Sequence, residues 1–389
     1  MKILMINSVC GIRSTGRICT DLSAALEEQG HQVKIAYGRE TVPEQYQKYA
    51  VRIGSDLDVK CHGLQSRIFD NTGFGSKKAT EKFLQWADTY NPNVLHLHNI
   101  HGYYIHIGLL FDWIKKRPDI KIIWTLHDCW TFTGHCSHFD FVGCDRWKTG
   151  CYDCPQKKEY PKSLLFDNSR NNWLNKKDLF TGIKHMTIVT PSHWLAGLVK
   201  QSFLKEYPVE VIHNGIDLDV FKPTPSDFRQ KHGLENKKII LGVASAWDRR
   251  KGFYDFIELS KILDDNYQIV LVGLSQKQIS ELPENILGIE RTNSTKELAE
   301  IYTAADVFFN PTYEDNYPTV NLEAQACGTP VITYHTGGSV ESVPKENIVS
   351  KGNFETLLNG LDIFNTMLKI ENYGYRGYLN MYARGIKHD

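Results

Sequence analysis

Short apolar runs recur along this chain, and a helical pattern follows almost every one. Lys2 to Val9, His31 to Tyr37, Val94 to His98, Lys121 to Leu126, Lys184 to Val189 and Val209 to His213 form one series. Lys238 to Ala244, Tyr267 to Gly273, Asp306 to Phe309 and Val331 to Thr333 form a second. Runs that are apolar at successive positions read as strands buried on both faces, and such strands belong to parallel sheets covered by helices. Strand and helix in alternation predict an α/β chain. A polar, proline-bearing stretch from Lys222 to Lys238 separates the two series. Two domains, joined near residues 214 to 237, suit a length of 389 residues.

Local signals place the helices. Gly11 to Arg17 reads as a glycine-containing loop after the first strand, followed by a helix whose apolar face includes Ile18, Leu22, Ala25 and Leu26 and which ends at Gly30. Lys78 to Tyr90 is amphipathic, and Asn91-Pro92 stops it. Ile105 to Lys116 is a short amphipathic helix ending in basic residues. Ser192 is placed to cap the helix through Trp194 and Leu198, and Ser294 with Glu297 forms a capping box. Leu357 to Leu368 reads as helical, and Tyr373 to Arg384 is an aromatic and basic tail. Residues 40 to 75 are polar and carry little signal.

The stretch most suggestive of function is Asn310 to Val331. A polar loop, Tyr313 to Tyr317, leaves the carboxyl end of a buried strand and enters a helix over roughly Thr319 to Cys327, with Gly328 as its cap. In open α/β sheets the ligand site is the crevice outside the carboxyl ends of the strands. A helix that starts there aims unpaired N–H groups and a positive dipole end at an anion, here through Thr319 and Val320. Glu323, one turn in, suits sugar or ribose hydroxyls better than phosphate. Arg250 and Lys251, in the loop from Ser245 to Gly252, can neutralise a diphosphate. The plain alternative is a set of solvated acids and a solvated basic turn. His98, His101 and the pair His127-Asp128 stand at strand ends in the first half, where Asp128 is able to orient an imidazole.

Composition removes several classes. Lysine plus arginine equals aspartate plus glutamate, 45 each, which gives no support for nucleic-acid binding. No apolar run reaches the length of a membrane helix. Met1 to Ile6 is too short for a signal sequence and leads straight into strand, turn and helix, so a cytoplasmic protein is expected. Four of the nine cysteines, Cys136, Cys144, Cys151 and Cys154, fall within nineteen residues and end in Cys-x2-Cys-Pro. They are consistent with a structural zinc site stapling the loop 129–155, with disulfides, or with packed thiols. Trp130, Phe132, Phe139, Phe141 and Trp147 on that loop read mostly as its own small core. Arg146, Lys148, Lys157 and Lys158 are left to face an anionic acceptor or lipid headgroups.

The residues from Asp315 to Val331 resemble the nucleotide-sugar motif of retaining family 4 glycosyltransferases. Asp315 and Glu323 have seven residues between them, and Glu323-Ala324-Gln325-Ala326-Cys327-Gly328-Thr329-Pro330-Val331 continues the motif. The family uses a pair of glutamates at that spacing; here the first position is Asp315, with Glu314 beside it. Thr125-Leu126-His127-Asp128 and Asn214-Gly215-Ile216-Asp217 are similar to two further family features. The resemblance implies a GT-B fold, two facing Rossmann-like domains with parallel sheets and a deep interdomain cleft. Residues 1–213 would bind acceptor, 214–370 would bind the nucleotide sugar, and 371–389 would be a helix returning to the first domain.

It also implies roles. His127, Asp315 and Glu323 would carry the catalytic centre, with His127 fixing the donor sugar. Gly16, Arg249, Arg250, Lys251, Thr319, Val320 and Glu323 would hold the donor, and Arg17, His98 and Asp128 the acceptor. Family members usually carry an arginine near the place of Ala246, so Arg249 or Arg250 must substitute for it here. The donor would be a nucleoside diphosphate sugar of UDP or GDP type, and transfer would retain configuration without a required metal. The acceptor would be a saccharide or a polyprenyl-diphosphate-linked saccharide in surface-polysaccharide assembly, such as capsule or lipopolysaccharide. Peripheral contact with the inner face of the membrane would follow. A nucleotide-sugar epimerase of the same fold and a non-catalytic sugar-nucleotide binding protein are the alternatives.

Overall fold

The computed structural model describes residues 1–360 and 378–382. The chain forms two compact units, Met1–His213 with Tyr375–Asp389, and Asn214–Gly374.

The first unit is a seven-stranded parallel sheet of β1 (Lys2–Ile6), β2 (Gln32–Tyr37), β3 (Ala50–Arg52), β4 (Val94–Leu97), β5 (Lys121–Thr125), β6 (Met186–Thr190) and β7 (Val209–Val211). Their order is β3-β2-β1-β4-β5-β6-β7. The order reverses between β1 and β4, and that switch point is where a doubly wound sheet opens a crevice. Alternate residues of β1 serve opposite faces. Ile3 and Met5 pack with Leu22 and Leu26 of the helix Arg13–Glu28, while Leu4 and Ile6 pack with Phe83 and Phe111 on the other side. Tyr378 and Tyr382 join the first of these clusters.

The second unit repeats the plan with β8 (Lys238–Val243), β9 (Tyr267–Val272), β10 (Ile286–Ile289), β11 (Val307–Asn310), β12 (Val331–Tyr334) and β13 (Ile348–Val349). The strands are parallel in the order β10-β9-β8-β11-β12-β13, with the switch between β8 and β11.

Several helix boundaries follow the local chemistry. Ser192 Oγ accepts from Leu195 N at 3.1 Å, and Ser294 Oγ from Glu297 N at 3.1 Å. Glu297 reaches Asn293 N instead of the Ser294 amide, so that capping box is half formed. The glycine loop is shorter than its sequence suggests. The helix begins at Arg13, which places Gly16 and Arg17 in its first turn. The final helix is described over Phe354–Gly360; the rest of the helical reading at 357–368, and the tail reading at 371–389 apart from 378–382, lie outside the described residues.

Candidate active site

In the second unit the loops after β8 and β11 meet at the switch point. Gly252 makes this approach feasible: its φ is +76°, and a Cβ there would come within 2.3 Å of the Pro311 carbonyl oxygen. Tyr313 N donates to the Arg250 carbonyl at 2.7 Å, and Arg250 Nη1 donates to the Glu314 carbonyl at 2.8 Å. Lys251 Nζ is ion-paired with Asp315 Oδ2. Arg250 is thus engaged in holding the acidic loop. Lys251, a half-buried cation, stands on the Asp315 carboxylate. Arg249 is exposed.

The helix Thr319–Ala326 starts after Pro318 without a side-chain cap, and Asn321 N donates to the Pro318 carbonyl at 3.2 Å, which leaves the N–H groups of Thr319 and Val320 as those an anion would meet. A buried polar network sets its angle. Asn321 accepts from Asn310 Nδ2 at 2.8 Å and donates to Ser342 Oγ at 2.9 Å, and Thr333 Oγ1 meets Ser339 Oγ at 2.7 Å. Glu323 is 2% exposed and accepts from the Tyr302 hydroxyl at 3.1 Å. Glu314 is fully buried, whereas Asp315 is the member of the pair that keeps some access. Asp255 accepts from Tyr313 OH at 3.1 Å and Tyr334 OH at 2.6 Å, which braces the same loop. Burial raises its carboxyl pKa above the ordinary value.

The first unit carries its own cluster at the carboxyl ends of β1, β4 and β5. Asn7, fully buried, donates to the Val9 carbonyl at 2.8 Å and accepts from Asn99 N at 3.2 Å, joining the loops on either side of the switch point. His98 Nδ1 lies 3.0 Å from His127 Nε2, and the two rings stack with centroids 5.3 Å apart. His98 Nε2 is buried without a partner among the described residues. Below them His96 bridges Tyr382 OH at 2.6 Å and Thr125 Oγ1 at 2.8 Å. Burial pushes His127 down to about 4 and His96 to about 3, and it holds His98 well below the usual imidazole value. These rings are neutral at pH 7, fit to exchange hydrogen bonds with hydroxyls.

Both carboxylate oxygens of Asp128 are bonded to groups other than His127. Its Oδ2 meets His101 Nε2 at 2.9 Å and its Oδ1 accepts from Trp130 N at 2.9 Å. Burial works to raise its pKa, but His101, His138 and the Trp130 amide together outweigh burial and hold it down at about 2. His101 Nδ1 in turn meets Tyr160 OH at 3.0 Å. Asp128 therefore orients His101, and it is His98 that contacts His127. Gly16 is buried in the first helical turn, where a Cβ would press on Val9 Cγ2 at 3.1 Å and Gly11 N at 3.2 Å. Arg17 follows it on the same turn.

The cysteine loop corrects one expectation. Cys136, Cys144, Cys151 and Cys154 line a common cavity, and all nine cysteines are free thiols. A tetrahedral zinc would draw four sulfurs to about 3.8 Å of one another. Among the described residues, no three of these cysteines lie within 4.8 Å of one another, so the zinc staple finds no support. The loop is held by its own core instead. Phe132, Phe139 and Trp147 pack with ring centroids 5.0–6.3 Å apart, and Lys176 Nζ, 3.4 Å above the Trp130 ring, donates to the Trp130 and Thr133 carbonyls.

Comparison with known proteins decides the family. Residues 15–220 match Glycosyltransferase Family 4, and residues 226–365 match Glycosyl transferases group 1. The chain belongs to glycosyltransferase family 4. It is therefore an enzyme that draws its sugar from a nucleotide sugar, and the epimerase and binding-module alternatives fall away. A relative from Escherichia coli K12, the colanic acid biosynthesis glycosyl transferase WcaC, is 25% identical over 359 residues, covering 89% of this chain and 86% of the relative. The sucrose-phosphate synthase of Thermosynechococcus elongatus superposes with a TM-score of 0.68 at 17% identity, covering 99% of this chain and 96% of that one. Anabaena HepE, solved with UDP and glucose, gives 0.61 at 16% identity over 93% and 89% of the two chains. These likenesses establish the GT-B fold for this family 4 enzyme. Among the described residues, no helix is long and apolar enough to cross a membrane.

Proposed function

We propose that this glycosyltransferase moves a sugar, with retained configuration, from a UDP-sugar to a saccharide or lipid-linked saccharide during surface-polysaccharide assembly, at the cytoplasmic face of the membrane. The observation that carries the donor assignment is the uncapped start of the helix Thr319–Ala326 beside the Lys251–Asp315 pair, at the β8/β11 switch point. UDP in the HepE structure and the function ascribed to WcaC favour the nucleotide and the setting.

In this reading the diphosphate rests on the N–H groups of Thr319 and Val320 and on Lys251. Asp315 and Glu323 hold donor hydroxyls, His127 fixes the sugar, and Gly16 lets the backbone approach the phosphates. Arg17, with His98, serves the acceptor. The bond from the anomeric carbon to the β-phosphate oxygen breaks as the acceptor oxygen bonds to that carbon on the same face. The acceptor's proton passes to the leaving phosphate oxygen, and the developing charge is met by Lys251 and the helix amides. No metal is assigned a role, in keeping with a family that is generally metal-independent.

Thermal shift of the full chain against UDP, GDP and ADP tests the donor class. UDP at about a hundred times its Kd adds about 2.7 kcal/mol of stability. A rise of several degrees with UDP is expected. A rise with GDP alone, or with none of the three, would overturn this assignment.

A further inference from the structure

The four clustered cysteines are not alike. Cys136, Cys144, Cys151 and Cys154 line one cavity, and two of them are in direct contact: the Cys136 thiol donates a hydrogen bond to the Cys154 sulfur. That sulfur accepts a second hydrogen bond from the Gln156 amide. The backbone of Cys154 is pinned on both sides, its N–H donating to Asp167 Oδ2 at 2.6 Å and its carbonyl accepting from Lys157 N at 3.2 Å. Cys151 is engaged differently. Its sulfur accepts from Gly134 N at 3.1 Å, and burial pushes its thiol up to about 11.

A buried pair supplies positive charge to the same place. His135, next to Cys136 in the chain, and Asp70 have side chains 0% and 1% exposed, and His135 Nδ1 is bonded to Asp70 Oδ1. Asp70 is held in turn by Asn168 N, which donates to its Oδ2 at 2.8 Å. The other ring nitrogen, Nε2, is buried without a hydrogen-bond partner among the described residues. Burial works to lower the imidazole pKa, but the Asp70 bond and charge outweigh burial and raise it above the ordinary value. The hydrogen bond from Cys136 does most to favour the Cys154 thiolate and burial opposes it. The His135 charge and the Gln156 amide complete the shift, which brings Cys154 down to about 7. Cys136, the donor of that bond and itself buried, is pushed the other way, well above the ordinary thiol value.

Position makes one sulfur reachable and shelters the other. Cys154 is half-buried among the exposed residues Tyr152, Asp153 and Pro155, whereas Cys136 is 6% exposed. An accessible, activated sulfur in contact with a protected thiol is the arrangement of an attacking and a resolving cysteine. The pair is also joined to the histidine cluster. Ser137, next to Cys136, donates through Oγ to the Tyr160 carbonyl at 3.4 Å, and Tyr160 OH meets His101 Nδ1 at 3.0 Å.

We propose that Cys154 is a peroxide-reactive nucleophile with Cys136 as its resolving partner, so that the two close a reversible disulfide within this loop. The Cys154 sulfur attacks one oxygen of a hydroperoxide. The S–O bond forms as the O–O bond breaks, and the departing oxygen takes up a proton and leaves as water or an alcohol. The Cys136 sulfur then attacks the sulfenic sulfur of Cys154, and the hydroxyl leaves as water with the Cys136 proton. The two thiols lose two electrons in all, and the hydroperoxide gains them. A dithiol reductant reverses the bond by exchange and becomes a disulfide itself. The bond ties Cys136 to the segment that runs on to Tyr160, and so fixes the place from which Tyr160 reaches His101. The site stands apart from the donor assignment.

Hydrogen peroxide is the probe. The full chain, reduced and then treated with equimolar peroxide at pH 7, is expected to lose two hydrogen atoms in intact mass. Digestion should yield one peptide pair joining Cys136 to Cys154, which dithiothreitol separates. Exposure alone would direct oxidation to Cys61, an exposed thiol. The site predicts that Cys154 reacts about threefold faster than Cys61 or more. Cys136→Ser should stop at a sulfenic acid on Cys154 that dimedone traps, and Cys154→Ser should give neither product, each in a protein that melts cooperatively. His135→Gln should move the midpoint of Cys154 alkylation by iodoacetamide to higher pH. Earlier oxidation of Cys61, a disulfide between any other pair, or no dimedone adduct in Cys136→Ser would overturn the proposal. So would an unmoved alkylation midpoint in folded His135→Gln, or one zinc ion retained per chain by the purified protein.

Discussion

Replacing Lys251 by methionine separates binding of the diphosphate from mere support of the acidic loop. Lys251 is ion-paired with Asp315, their side chains 22% and 16% exposed, so the contact is only moderately screened by water. A charge-assisted hydrogen bond to phosphate contributes about 1.5–3 kcal/mol, which is about ten- to a hundredfold in Kd. The methionine variant also leaves the Asp315 carboxylate uncompensated beside the incoming phosphates, an effect of the same sign. Calorimetry of UDP binding should therefore show at least about a tenfold loss, while uridine, which lacks the phosphates, binds as before. Asp315→Asn provides the control. Were Lys251 present only to neutralise Asp315, the double variant would recover UDP affinity; as a phosphate ligand it would not. A Kd for UDP within threefold of the unaltered enzyme, or full recovery in the double variant, would refute this reasoning.

Other consequences follow from the same geometry. His96, His98 and His127 all have pKa values held below the unfolded value of 6.5. The unfolded chain takes up protons there that the folded chain refuses, so stability is intact above about pH 6.5 and falls towards pH 4, by at most about 1.4 kcal/mol per pH unit for each ring. Melting temperature against pH should slope accordingly, and a flat profile from pH 7 to 5 would contradict the buried neutral cluster. Asn321→Ala strands the Asn310 amide and the serines it joins, at a cost of about 2–3 kcal/mol, read as a lower midpoint in urea. Gly252→Ala meets both a positive φ and the Pro311 carbonyl, and should lower the melting temperature by several degrees and weaken UDP binding.

Where the sequence was legible, the reason is periodicity. Buried parallel strands announce themselves as continuous apolar runs, and β1, β2, β4, β5, β8, β9 and β11 stand within a few residues of those runs. The edge strands β3, β10 and β13 were missed. They have two to four residues, too short to stand out as apolar runs even where, as in Ile286–Ile289 and Ile348–Val349, their residues are apolar. The helix Asp56–Phe69 escaped for a different reason: its fully buried side chains are the polar His62 and Ser66, and only Val59, partly buried, packs on the core, so no apolar stripe marks it. Ser55-x-x-Asp58, a capping box, was the available signal for its start. At the candidate site, the strand-end positions of His127, Lys251 and Asp315 were readable from spacing. Pairings across the fold were not. Nothing local joins Glu323 to Tyr302, Asn310 to Asn321, or His96 to Tyr382, because each depends on how distant segments are brought into register. The cysteines show the converse error, a suggestive spacing whose thiols line one cavity without converging on a single point.

The most direct test of the account is a transfer assay with a panel of radiolabelled UDP-sugars and membranes of the producing cell, followed in both the lipid extract and the released nucleotide. The account predicts that one sugar enters the lipid-linked saccharide fraction with one UDP released per sugar, and that Glu323→Ala abolishes both in a protein that still folds and melts cooperatively, at a somewhat lower temperature because the Tyr302 hydroxyl loses its acceptor. Incorporation undiminished in a folded Glu323→Ala variant would contradict it, as would label from a GDP-sugar alone.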